Sequence, residues 1–126
     1  MTEPADDTLA YHKPGDLSAV RAFVTDRAAA LGLGEHRAEL LVLAVSELAT
    51  NTLQHTTGGG RVRVFARSGT VVCDVVDQGP LPDLNRHMPA ADAVGGRGLA
   101  IVAQVCDDVE TTAVADGTRV RLTFKL

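Results

Sequence analysis

The segment Leu40–Asn51 reads LLVLAVSELATN. Eight of its first ten residues are apolar, which predicts a helix buried nearly all round. Glu47 sits inside that run. Moving even a neutral polar group out of water without a partner costs roughly 2–7 kcal/mol, and a lone carboxylate costs more. Asn51 follows one helical turn later and shares the face of Glu47, and His55 extends the stripe by another turn. Taken alone, the pair has a plain reading: Glu47 reaches solvent or a basic partner, and Asn51 begins the helix end.

Working outward, this helix is predicted from about Glu35 to about Thr56, stopped by Gly58, Gly59 and Gly60. Before it, Leu17, Val20, Phe23, Val24, Ala28 and Leu31 recur at helical spacing. Asp16 is placed to cap that first helix, and Gly32-Leu33-Gly34 to end it. Leu9-Ala10-Tyr11 reads as a short edge strand halted by Lys13-Pro14-Gly15. After the glycines the period changes to two. Arg61, Arg63 and Arg67 alternate with Val62, Val64 and Ala66, which is a strand with one wet face. Ser68-Gly69 signals a hairpin turn, with the return strand at Thr70–Asp77.

Residues 78–95 hold three prolines and few apolar runs, a long irregular connection of the kind that is usually functional or disordered. A short helix is predicted from Gly96–Leu99 through Val105, then a second hairpin, Val109–Ala115 and Thr118–Leu126, over Asp116-Gly117. Two hairpins and amphipathic helices predict an α+β fold: a two-layer α/β sandwich with a mostly antiparallel mixed sheet and helices on one face.

A chain of 126 residues supports one domain, read here as residues 9–126 behind a disordered N-terminal segment, residues 1–8. No apolar run reaches the length of a membrane span, and the acidic start lacks a secretory pattern. The expectation is a cytoplasmic protein. A net charge of −4 argues against direct nucleic-acid binding. Cys73 and Cys106 lie in apolar contexts and read as buried reduced thiols. The four histidines show no metal-ligand spacing.

Two further signals stand out. Cys73, Val75 and Asp77 share a strand face, so Asp77 is an acid on the core side at the strand's last position; its plain reading is a strand-ending Asx turn onto Gly79. Gly95-Gly96-Arg97-Gly98-Leu99 runs into a predicted helix, where backbone N–H groups can cradle an anion; its plain reading is a flexible loop with an ordinary helix start.

Each signal is weak alone, but their order is specific. Glu47-x-x-x-Asn51 on a helix, Asp77-x-Gly79 after a strand, Gly96-x-Gly98 opening a helix and Gly117-Thr118 opening the last strand resemble the nucleotide-binding domain of gyrase, chaperone, mismatch-repair and histidine-kinase ATPases. The small size resembles the bacterial anti-sigma regulatory serine/threonine kinases, which consist of this Bergerat-type ATP-binding domain alone.

That resemblance implies ATP and Mg²⁺ as cofactors. It makes Glu47 the general base on the attacking hydroxyl and Asn51 a metal ligand at the phosphates. Asp77 becomes the acceptor of the adenine amino group, and Gly79 the glycine against the base. Gly96, Gly98 and Leu99 match the triphosphate box, and Thr118 the threonine near Asp77. His55 and Arg97 lie beside motif positions, where they can approach phosphates. The first glycine box departs from the usual Asp-x-Gly-x-Gly, since Pro80 follows Gly79.

The implied function is an ATP-dependent protein kinase and anti-sigma factor that switches partners, phosphorylating an antagonist protein and sequestering a sigma factor, as a homodimer and without a membrane. The alternative is a binding module on the same fold with little or no catalysis, which Pro80 motivates.

Overall fold

The computed structural model describes residues 7–55, 59–77, 104–114 and 117–126. Its elements are β1 (Thr8–Tyr11), a 3-10 turn (Pro14–Asp16), α1 (Leu17–Ala30), α2 (Glu35–His55), β2 (Gly60–Arg67), β3 (Thr70–Asp77), β4 (Asp108–Val114) and β5 (Gly117–Lys125). The five strands form one sheet in the order β1-β2-β3-β5-β4, and every neighbouring pair is antiparallel. With the two helices stacked on one face, this is the two-layer α+β architecture read from the sequence. The predicted helix from Gly96 and the connection before it lie outside the described residues, apart from the last turn at 104–105.

The core lies between the helix pair and the sheet. Val20, Val24 and Ala28 of α1 meet Leu41, Ala44, Val45 and Leu48 of α2 over Val62, Val64, Cys73, Leu122 and Phe124. Both cysteines are buried free thiols within it.

The α1 ending follows from Gly32. At φ 95 it takes the left-handed conformation that costs glycine nothing. The Leu33 N–H then donates to Ala28 O at 3.0 Å and the Gly32 N–H to Ala29 O at 3.1 Å, the Schellman pairing.

Two expectations are corrected. Asp16 does not cap α1 with its side chain. Its Oδ2 instead accepts the His12 N–H at 2.8 Å and the Lys13 N–H at 3.2 Å, because the Pro14–Asp16 turn points the carboxylate back toward β1. Nor is α2 buried all round. Leu41, Ala44, Val45, Leu48, Ala49 and Thr52 are buried, but the flank through Leu40, Leu43, Glu47 and Asn51 is half-buried or exposed, with Leu43 at 44%. That helix packs chiefly against α1, β2 and β3, and its flank through Leu43 and Glu47 is left partly open by the other described elements.

The sheet's other face is closed by its own side chains. Phe65 lies under the guanidinium groups of Arg63, Arg67 and Arg121, 4.4, 5.3 and 5.8 Å from its centroid. Asp74 is 5% exposed there and takes a bidentate pair from Arg121 at 2.7 and 2.9 Å. Elsewhere Arg27 reaches from α1 to Val64 O at 3.1 Å, and Arg37 of α2 ion-pairs with Asp107 ahead of β4.

Candidate functional site

The sheet ends in one cross-strand row: Tyr11 pairs with Gly60, Gly60 with Asp77, Asp77 with Thr118, and Thr118 with Ala113. Strand alternation puts this row on the helix-covered face, in line with Val62, Val75 and Val120. The C-terminal end of α2 feeds into Gly60 through a few residues, so Asn51 and Thr52 belong to the same end of the molecule.

Asp77 is half-buried, and its Oδ1 accepts the Thr118 N–H at 3.3 Å. Gly117 makes this possible. A Cβ there would stand 2.6 Å from Asp77 Oδ1 and collide with its backbone carbonyl. Gly60 is equally constrained, since a Cβ would come within 2.5 Å of Val76 O and 2.6 Å of Tyr11 Oη. The Tyr11 side chain therefore occupies the space that Gly60 leaves open.

Tyr11 is fully buried. Burial chiefly, with the nearby Asp77 charge adding and Thr52 opposing, pushes its phenol up to about 12. Thr52, also buried, donates its hydroxyl to Leu48 O at 3.0 Å.

Glu47 and Asn51 occupy one flank of α2, one turn apart and both half-buried. His55 is the last residue of that helix. The structure therefore joins Asp77 and Thr118 directly and places Asn51 beside Thr52 at the same end. Gly79, Gly96, Arg97, Gly98 and Leu99 lie outside the described residues.

Among the described residues no group of three or more His, Cys, Asp or Glu could hold a metal. Mg²⁺ at a nucleotide needs only one or two protein oxygens, with phosphate and water completing its shell. The amide oxygen of Asn51, a half-buried residue one helical turn from Glu47, is a hard donor of that kind.

The sequence reading missed Tyr11 and Gly60. Its available signal was the protein's single tyrosine in a short edge strand, and only the β1–β2 register reveals what it approaches.

A half-open groove of about 420 Å³ lies on another side of α2, between Ala29 and Leu33 and the residues Ala38 and Val42. None of the site residues lines it. Among the described residues no helix is long and apolar enough to cross a membrane.

No curated protein matches the chain. The family model of the histidine kinase-like ATPase domain matches residues 11–124, from the tyrosine that begins the site row to the core phenylalanine of β5. With nearly the whole described fold inside that match, the chain belongs to the histidine kinase-like ATPase domain family.

Proposed function

We propose that this protein is an ATP-dependent protein serine/threonine kinase and anti-sigma factor that works by partner switching in the cytoplasm. It would phosphorylate an antagonist protein and, once freed from it, sequester a sigma factor, acting as a homodimer. The observation that carries the reading is the joint placement of an acid–amide pair on α2 and a glycine-flanked acid at the sheet's end, within a histidine kinase-like ATPase domain.

The chemistry assigns a role to each group. Asp77 accepts a hydrogen bond from the adenine amino group, with Thr118 fixing its Oδ1. The Asn51 amide oxygen holds Mg²⁺, which neutralises phosphate charge when bound. Glu47 takes the proton of the attacking Ser or Thr hydroxyl as its oxygen bonds to the γ-phosphorus. The bond from that phosphorus to the β-phosphate oxygen breaks, and ADP leaves. Phosphoryl transfer needs positioning and charge neutralisation more than covalent help, so a small domain suffices. Arg97 and the glycines Gly96 and Gly98 complete the assignment at the triphosphate.

Purified protein with Mg-ATP and its cognate antagonist tests this reading. Phosphate transfer to a Ser or Thr of the antagonist is expected. Undetectable ATP binding at millimolar nucleotide would end it.

Pro80 favours a second reading. It removes an N–H from the first glycine box, so the fold could serve as a binding module with little catalysis. Sigma-factor binding without transfer would select that reading.

A further inference from the structure

We propose that the sheet face turned away from the helices is a docking surface for an acidic segment of a partner protein. The inference goes beyond the kinase reading and requires no nucleotide.

Strand alternation assigns the face. Val62, Val64, Cys73, Leu122 and Phe124 are buried under the helices, so the residues between them point the other way. These include Arg61, Arg63 and Arg67 of β2 and Arg119, Arg121 and Lys125 of β5. Among the described residues, this face thus holds six of the chain's twelve Lys and Arg. It holds only four of the sixteen acids: Asp74, Asp108 and Glu110, with Asp7 reaching in from the edge. A chain of net charge −4 has gathered its cations on one side.

The registers sort these charges into rows about 7 Å apart. In one row Arg63, Asp74, Arg121 and Glu110 stand on successive strands, and Asp7 pairs with Arg63 at 3.2 Å, so its positive charge is compensated. The rows at the two ends differ. Arg61, Val76, Arg119 and Thr112 form one, and Arg67, Thr70 and Lys125 the other. Neither row contains a carboxylate. Between them Phe65 is half-buried beneath guanidinium groups.

Solvation alone does not ask for this pattern. A face that only meets water mixes its signs, because like charges repel. The Nε of Arg119 is moreover buried without a hydrogen-bond partner among the described residues.

The charges choose the occupant. A second copy docked by its own equivalent face would set cation against cation. On nucleic acid, Asp108 and Glu110 at one margin and Asp7 at the other would oppose phosphates, and the chain is acidic overall. A protein segment with carboxylates about 20 Å apart and apolar residues between meets both end rows and Phe65.

The test uses a fluorescein-labelled helical peptide of about fourteen residues, long enough to span the rows, with glutamates near both ends and leucines between. Saturable binding that weakens with salt is expected. Amide shifts in ¹⁵N spectra should concentrate in β2, β3 and β5. Arg67→Glu with Arg119→Glu should weaken binding at least about tenfold, and Lys13→Glu with Arg21→Glu, which change the net charge equally from exposed sites, less than about twofold.

Absence of saturation at millimolar peptide would overturn the proposal, as would equal losses in the two double variants or shifts confined to the helices. Equal affinity for the peptide with lysines in place of glutamates would do the same. Tighter binding of duplex DNA to this face would make it a nucleic-acid surface. A wild-type dimer in sedimentation that protects these strands would give the face to a second copy. Should the Arg67 and Arg119 reversal not fold, Arg67→Gln with Arg119→Gln takes its place, and the wild-type amide map decides by itself.

Discussion

Glu47 and Asn51 share a flank of α2, yet their substitutions should separate cleanly. Glu47→Gln keeps size and polarity but cannot accept a proton. It should leave Mg-ADP affinity within about threefold and lower phosphate transfer by about 10²–10⁴, the usual worth of a general base. Calorimetry and radiolabel transfer check the two halves. Asn51→Ala should instead abolish the magnesium-dependent part of nucleotide affinity, measured with and without the ion. Gly117→Ala is a space argument. The new methyl meets the Asp77 carbonyl and carboxylate, so it should lower both ADP affinity and the melting temperature, whereas Asp77→Asn should lower affinity with a smaller change in melting. These residues were legible in the sequence because their types are out of place: an acid among leucines, and an acid on the core side of a strand. Tyr11 was not legible, because a tyrosine in an edge strand is in place, and only its neighbour across the sheet makes it unusual.

At the scale of elements, the β2–β3 hairpin turns through Ser68 at φ 50 and Gly69 at φ 78. Two positive φ values define the type I′ turn that suits strand twist, and asparagine is favoured over serine at its first position. Ser68→Asn should therefore raise stability by about 0.3–1 kcal/mol, read from the shift in urea midpoint at constant slope. Sequence reading found this turn, since Ser-Gly between alternating strands is a local signal. It misplaced Asp16, because a cap and a turn acceptor use the same residue type. Choosing between them depends on the Pro14–Asp16 geometry. It also missed Asp74. Its partner Arg121 lies on β5, 47 positions away, and the register alone brings them opposite. Arg121→Ala should cost about 1–3 kcal/mol in chemical denaturation by leaving that carboxylate unpaired where it is 5% exposed.

For the whole molecule, the ionisable groups set a pH window. The backbone N–H of His12 chiefly, with that of Lys13, holds Asp16 below 3.8, and the Lys125 N–H with Arg37 does the same for Asp107. Burial opposes the shift at Asp7, but hydrogen bonds from Thr8 and Arg63 outweigh it. Lowered folded values mean stability present above the unfolded carboxylate pKa of about 3.9 and lost as pH falls through the folded values. At the other end, burial pushes Cys106 from 9.0 up to about 12 and Tyr11 from 10.0 up to about 12. The unfolded chain then releases protons first, so stability falls as pH rises from about 9 toward 12. Urea midpoints should be level from about pH 5 to 8 and decline on both sides.

The sequence by itself determined the periods: 3.6 through α1 and α2, two through β2 and β5, and the glycine stops between them. These are properties of neighbours along the chain, and burial of one face is enough to specify them. Tertiary structure decided the rest. It inserted β5 between β3 and β4, aligned Tyr11, Gly60, Asp77 and Thr118 in one row, and left the α2 flank of Glu47 and Asn51 only partly covered by the other described elements. Those placements join residues dozens of positions apart. Their energies come from strand register and from space that a missing side chain opens, and neither is written in any local stretch of sequence.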